Sequence, residues 1–125
     1  MKKELEQYTL KSRAKSFSHA FRGMGLLFRT QPNAQLHMIG GITIILLGIY
    51  FNITHTDWIA LVVAIGMVLV AEAFNTAIEI DINLTSPDFH PFARDTKDVA
   101  AAAVLISVFV ACAIGLFVFV PYIFS

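Results

Sequence analysis

The chain has 125 residues, of which 57% are hydrophobic and 14% are charged, whereas a soluble domain carries about 25% charged residues. Nine Lys and Arg balance nine Asp and Glu, so the chain lacks the basic excess that nucleic-acid binding needs. Cys112 is the one cysteine, which excludes an internal disulfide framework. The length and the apolar composition together indicate a small integral membrane protein with a single domain over residues 1–125.

The first predicted element is an amphipathic surface helix within residues 1–32. Its apolar residues recur at helical spacing along one face: Phe17, Phe21, Met24 and Phe28. The basic residues lie off this stripe, which is typical of a helix in the membrane interface, although a simple anchor would show the same pattern. Pro32 predicts a bend before the next element, because proline is tolerated only in the first turn of a helix or at a break.

Three apolar segments follow, at residues 36–53, 58–80 and 99–120. Crossing the hydrocarbon core takes about 20 helical residues, and each segment approaches or exceeds that length. We therefore predict an all-α membrane protein with three transmembrane helices. Residues 81–98 are predicted to form a cytoplasmic loop, since Pro87 and Pro91 interrupt helices there.

The positions of the basic residues predict the orientation in the membrane. Seven of the nine precede the first span, and the other two, Arg94 and Lys97, lie between the second and third spans. The connection at 52–57 and the tail at 121–125 carry none. By the positive-inside rule, we expect a multi-pass protein of the cell (inner) membrane with a cytoplasmic N-terminus and a C-terminus outside.

Polar residues cluster on one face of the second predicted span. Glu72, Asn75, Thr76 and Glu79 are spaced i, i+3, i+4 and i+7, which places them along one side of a helix. A charged residue at a span centre costs roughly 2.5–3.5 kcal/mol on insertion scales, so we expect Glu72 to have a functional role. Asn75 and Thr76 could equally serve to hold neighbouring helices together.

The segment before the third span carries charges suited to a phosphate. Lys97 can hold a phosphate group as a point charge at the membrane boundary. Asp95 is expected in the first turn of the third helix, where the helix dipole favours an acid. The small residues 100–103 would let a lipid headgroup or another helix approach closely.

Three sequence motifs between residues 72 and 101 are informative when they are taken together. They read EAFNTAIE at 72–79, SPDFHP at 86–91 and KDVAA at 97–101. Together they resemble the prokaryotic diacylglycerol kinase family, which includes the undecaprenol kinases, and the match covers nearly the whole chain. The resemblance implies a homotrimer of three-span subunits, each with a surface helix, and transfer of phosphate from ATP to a membrane lipid alcohol with Mg²⁺.

The resemblance also implies roles for individual residues. Glu72 matches the catalytic base, and Glu79 matches a metal-binding carboxylate that also contacts the nucleotide. The other positions that match nucleotide contacts are His19, Asp88, Phe89, His90, Lys97 and Asp98. The lipid substrate is expected to contact Glu72, Asn75 and Ala101.

Two residues depart from the family pattern. Gln31 stands where the family usually has a second metal-binding glutamate, and Asn83 replaces a frequent aspartate. A glutamine carbonyl oxygen can still bind Mg²⁺, although more weakly than a carboxylate. Gln31 is therefore retained as a predicted metal ligand.

The residues leave other functional classes open. A small proton-coupled transporter would explain Glu72, but it gives no role to Glu79 or to the segment 88–98, and a non-catalytic assembly protein is a third alternative. For a kinase, the lipid hydroxyl and cytoplasmic ATP can meet only at the inner interface. Three spans are too few to enclose such a site, which favours a site shared between subunits. Diacylglycerol and undecaprenol both offer a primary hydroxyl and remain alternative substrates.

Overall fold

The computed structural model describes residues 1–6 and 8–125, and almost all of them are helical. The helices in chain order are α1 (Lys2–Glu6), α2 (Leu10–Thr30), α3 (Pro32–Phe51), α4 (His55–Thr85) and α5 (Pro91–Ile123). Neither described range contains a strand. Helices α3, α4 and α5 are long and apolar enough to cross a membrane, which confirms the predicted all-α class with three spans.

Helix α2 carries the predicted surface stripe. Phe17, Phe21 and Met24 are exposed, and Leu27 is the residue of this helix that is buried against the other helices. An apolar stripe that the protein itself does not cover suits a helix lying in the membrane interface.

The predicted bend before the first span is present. Gln31 has an extended backbone conformation that ends α2, and Pro32 begins α3, where its missing N–H would have no partner within the helix. The side chain of Gln35 reaches back and donates a hydrogen bond to the carbonyl oxygen of Phe28 at 3.0 Å. This contact ties the start of α3 to the end of α2.

The connection between α4 and α5 is shorter than the predicted loop at 81–98. Between the two helices only residues 86–90 are not helical. Neither proline interrupts a helix in its interior. Pro87 follows the residue that caps α4, and Pro91 occupies the first turn of α5. Polar residues on either side therefore continue the helices beyond the apolar spans.

The prediction for Asp95 was also wrong in its position. His90 caps α5, with its Nδ1 accepting a hydrogen bond from the backbone N–H of Phe92 at 3.1 Å. Asp95 consequently lies beyond the first turn, where it pairs with Arg94 at 3.1 Å. Both side chains are more than half exposed, so this pair contributes little to stability.

Helix α4 is the central helix of the three spans. Helices α3 and α5 both pack on it, and they meet each other where Phe51 packs against Phe119 and Tyr122. Gly48 permits the close approach of the Trp58 ring to α3, because a Cβ there would lie 2.6 Å from that ring. Near the same end of the helices, the Tyr122 hydroxyl donates a hydrogen bond to Asp57 at 2.7 Å and so joins α5 to the start of α4.

Candidate active site

The polar face predicted for the second span is present on α4. Glu72, Asn75 and Thr76 are buried, and Glu79 is half-buried. Phe74, on the opposite face, is 68% exposed, whereas Glu72 is only 2% exposed. At a rise of about 1.5 Å per residue, Glu72 lies roughly 20 Å from the Thr85 end of α4 and about 26 Å from the His55 end.

Three polar atoms on this face lack partners. Among the described residues, the Oε2 of Glu72, the Oδ1 of Asn75 and the Oγ1 of Thr76 are buried without a hydrogen bond. Leaving such a group unpaired costs about 1–3 kcal/mol, and more when it is charged. Unpaired buried groups of this kind are retained where a ligand or a catalytic task uses them.

A cavity of about 270 Å³ opens beside Glu72. Its wall includes all three predicted substrate-binding residues, Glu72, Asn75 and Ala101. The remaining lining residues are Asn33, Leu36, His37, Val104, Leu105 and Val108. A carboxylate is thus the most strongly polar group in a chiefly apolar cavity, an arrangement suited to the hydroxyl of an otherwise apolar molecule.

A second cleft, of about 460 Å³, lies towards the connection between α4 and α5. It brings together most of the residues predicted to contact the nucleotide: Glu79, Asp88, Phe89, His90, Lys97 and Asp98. Ala101 lines this cleft as well as the cavity beside Glu72. The two spaces therefore share Ala101 as a lining residue.

The cationic side of the cleft comes from α5. Lys97 donates a hydrogen bond from its Nζ to the Oδ1 of Asn83 at 2.8 Å, which holds the ammonium group over the cleft. Arg94 also lines the cleft, with its guanidinium carbon 5.9 Å from the centre of the Phe89 ring. The sequence analysis did not select Arg94, although its charge beside Lys97 was a usable signal.

The donor set of the cleft is compatible with Mg²⁺. No group of three or more His, Cys, Asp or Glu side chains within the described ranges is close enough to hold a metal ion alone. However, Glu79, Asp88 and Asp98 line the same cleft, and Mg²⁺ commonly binds one or two carboxylates together with phosphate oxygens and water. Glu79 could therefore hold Mg²⁺ that arrives with a nucleotide.

Two predicted site residues lie elsewhere. Neither His19 nor Gln31 is among the described residues that line these two spaces. His19 is exposed on α2, and the side-chain amide of Gln31 donates a hydrogen bond to the hydroxyl of Thr30 at 3.3 Å. Their roles in nucleotide and metal binding stay predictions.

Comparison with known proteins identifies the family. The model of the prokaryotic diacylglycerol kinase family matches residues 18–119. The chain belongs to this family. It is 36% identical over 107 residues to an undecaprenol kinase of Bacillus subtilis (strain 168), a match that covers 86% of this chain and 87% of that protein.

Other relatives are named diacylglycerol kinases. A diacylglycerol kinase of Synechocystis is 31% identical over 101 residues, covering 80% of this chain and 58% of that protein. A diacylglycerol kinase of Helicobacter pylori (strain 26695) is 36% identical over 62 residues, covering 50% of this chain and 48% of that protein. The protein is a membrane-embedded lipid kinase, which confirms the predicted family and enzyme class.

Proposed function

We propose that this kinase transfers the γ-phosphate of ATP, with Mg²⁺, to the hydroxyl of a membrane lipid alcohol at the cytoplasmic interface. The observation that carries the proposal is the contact of two spaces at Ala101. One contains the unpaired carboxylate of Glu72, and the other is lined by Glu79, Lys97 and Asp98. A hydroxyl in the first space can thus meet a phosphate in the second.

Each residue has a separate task in the reaction. Glu72 accepts the hydroxyl proton while the hydroxyl oxygen attacks the γ-phosphorus, and Asn75 lies one turn away to orient the lipid headgroup. Lys97 balances phosphate charge, and Glu79 holds Mg²⁺, which supplies further neutralisation of the phosphate oxygens. Phosphoryl transfer depends mainly on such positioning and charge neutralisation, so few side chains are needed.

An apolar groove supports a long-chain substrate. The space between α3 and α5, about 690 Å³ in volume, is lined almost entirely by apolar side chains. Leu36, His37 and Val108 line both this groove and the cavity beside Glu72. A lipid whose hydroxyl reaches Glu72 can therefore extend its tail along the groove within the membrane.

We propose undecaprenol rather than diacylglycerol as the substrate. The apolar groove beside Glu72 runs along α3 and α5, a shape that suits one long tail. The similarity to an undecaprenol kinase over 87% of that protein supports the same choice.

The substrate is tested with purified protein in vesicles that contain either lipid alcohol. We expect phosphate from γ-labelled ATP to appear in undecaprenol faster than in diacylglycerol, and a metal chelator should abolish both reactions. Faster labelling of diacylglycerol would reverse the substrate assignment. Labelling of neither lipid would overturn the proposed function.

We also propose that the N-terminus is cytoplasmic and the C-terminus is outside. The basic residues of α2 and the Arg94 and Lys97 pair then lie inside, where positive charge is retained. A periplasmic or surface reporter fused after Ser125 should be active, and a cytoplasmic reporter at the same place should not. A cytoplasmic C-terminus would contradict the placement of the ATP cleft.

A homotrimer with sites shared between subunits completes the proposal. Within one chain the cleft at Glu79 is open and has neither His19 nor Gln31 in its wall. A neighbouring subunit could bring these residues to it. The mass of the detergent-solubilised complex tests the trimer.

Gln31 provides a specific test of the metal site. We expect Gln31→Glu to lower the Mg²⁺ concentration needed for half-maximal activity, because a carboxylate binds Mg²⁺ more strongly than an amide oxygen. The measurement is a Mg²⁺ titration of the initial rate at fixed ATP, with the wild type titrated in parallel. An unchanged or weakened Mg²⁺ dependence would exclude Gln31 from the metal site.

A further inference from the structure

His37 lies opposite the catalytic carboxylate. Its Nε2 is 3.6 Å from the Oε2 of Glu72, and its side chain is 23% exposed. This Oε2 is the carboxylate oxygen that is buried without a hydrogen-bond partner. The histidine approaches from α3, whereas Glu72 belongs to α4, so the contact depends on how these helices pack.

Among the described residues that line the cavity, no other imidazole or cationic side chain faces Glu72. Among the described lining residues, Glu72 and His37 are the ionisable pair. Helix α5 contributes Ala101, Val104, Leu105 and Val108, which are all apolar. Two neutral amides, Asn33 on α3 and Asn75 on α4, complete the polar part of the wall.

We propose that His37 is a positioning residue that donates its Nε2–H to the Oε2 of Glu72 and so directs the other carboxylate oxygen to the lipid hydroxyl. The proposal rests on the function proposed above. The donor is available both in the imidazolium form and in the neutral tautomer protonated at Nε2, so the role does not require a charged histidine.

The observed separation fits a contact that closes during binding. A hydrogen bond from nitrogen to oxygen measures about 2.7–3.2 Å, and 3.6 Å is therefore somewhat long. Catalytic hydrogen bonds are often long before substrate binds and shorten in the reactive complex. A lipid headgroup that fills the cavity would exclude water and bring the imidazole and the carboxylate together.

His37 neither gains nor loses a proton in the proposed phosphate transfer. The lipid oxygen forms a bond to the γ-phosphorus, and the bond from that phosphorus to the bridging oxygen breaks, with ADP leaving with the electron pair. The hydroxyl proton passes to the carboxylate oxygen of Glu72 that faces the substrate. His37 keeps its own proton and fixes the direction from which the carboxylate acts.

The test compares His37→Ala, which removes the donor, with His37→Gln, which keeps an N–H donor of similar reach. We expect His37→Ala to lower kcat by about 10- to 100-fold, the range expected when a reacting group is misplaced by about 1 Å. The KM for ATP should hardly change, because His37 does not line the nucleotide cleft. His37→Gln should recover much of the rate, and added imidazole should partly restore His37→Ala.

His55→Ala is the matched control, since His55 is exposed at the far end of α4, and it should keep the wild-type rate. Because His37 acts through Glu72, His37→Ala added to Glu72→Gln should cause no further loss. A double variant whose loss of rate is the product of the two single losses would overturn the positioning role. So would a His37→Ala protein of unchanged Tm whose rate neither added imidazole nor the His37→Gln substitution restores. A wild-type rate in His37→Ala beside a slow Glu72→Gln would also overturn it while the proposed function stands. A fast Glu72→Gln would exclude Glu72 as the base and with it the positioning role of His37, whereas a wild-type protein that labels neither lipid would overturn the proposed function.

Discussion

Glu72→Gln is expected to lower the rate of lipid phosphorylation by at least ~10²-fold, the usual scale for loss of a general base. Glutamine has nearly the same shape and can still form hydrogen bonds, but it cannot take the hydroxyl proton. ATP binding should persist, because Glu72 does not line the cleft around Lys97 and Asp98. The measurements are the turnover number and the nucleotide affinity of the same preparation.

The interpretation of this variant depends on the protein remaining folded. Glu72 is buried, and its Oε2 accepts no hydrogen bond among the described residues, with the Nε2 of His37 at 3.6 Å. The melting temperature of Glu72→Gln beside that of the wild type checks that the helices stay packed. Phe74→Leu, on the exposed opposite face of α4, is the matched control and should retain normal turnover. A Glu72→Gln protein that phosphorylates lipid near the wild-type rate would exclude Glu72 as the general base.

Glu79→Gln should weaken the binding of Mg-ATP as well as turnover. Glu79 lines the cleft that contains Asp88, Lys97 and Asp98, and one fewer carboxylate leaves Mg²⁺ with weaker ligands. We expect the apparent KM for Mg-ATP to rise about 10-fold or more and to fall again as Mg²⁺ is increased, since mutation of even the residues that support metal ligands costs about 10- to 100-fold in metal affinity or activity. The measurement is a matrix of initial rates over Mg²⁺ and ATP.

The two glutamate variants control for each other. Each removes one negative charge from the same face of α4, two turns apart. If only the loss of negative charge mattered, both variants would show the same changes in kcat and in the KM for Mg-ATP. Separate roles instead predict a lowered kcat for Glu72→Gln and a raised KM for Glu79→Gln. A Glu79→Gln protein with normal Mg²⁺ dependence would remove Glu79 from the proposed metal site.

Local sequence signals were sufficient for several features of this protein. Hydropathy over about 20 residues predicted the three spans, because lipid requires a continuous helical run of apolar side chains. The spacing of Glu72, Asn75, Thr76 and Glu79 predicted their common face, since the α-helical period follows from the backbone alone. The family motifs were specific enough to predict a lipid kinase, which the family comparison confirmed.

The residues at which α4 ends and α5 begins could not be predicted accurately from the sequence. The two prolines near residues 86–91 indicated a break, but proline interrupts a helix only in its interior and is accepted at its first turn. The sequence analysis therefore extended the connection to 81–98, whereas α4 continues to Thr85 and α5 begins at Pro91. These extra turns carry Asn83 and Lys97, whose hydrogen bond shapes the cleft.

The tertiary structure alone decided which residues meet across helices. His37 had no local signal beyond being polar in an apolar segment, and only the packing of α3 on α4 brings it to 3.6 Å from Glu72. Gly48 permits the close approach of the Trp58 ring that accompanies this packing. Ala101 likewise lines both the cavity beside Glu72 and the cleft beside Glu79 because α5 packs along α4 at that height. A sequence pattern specifies the face of one helix, but the register between two helices arises from side-chain packing along their whole length, so these contacts could not be read from the chain.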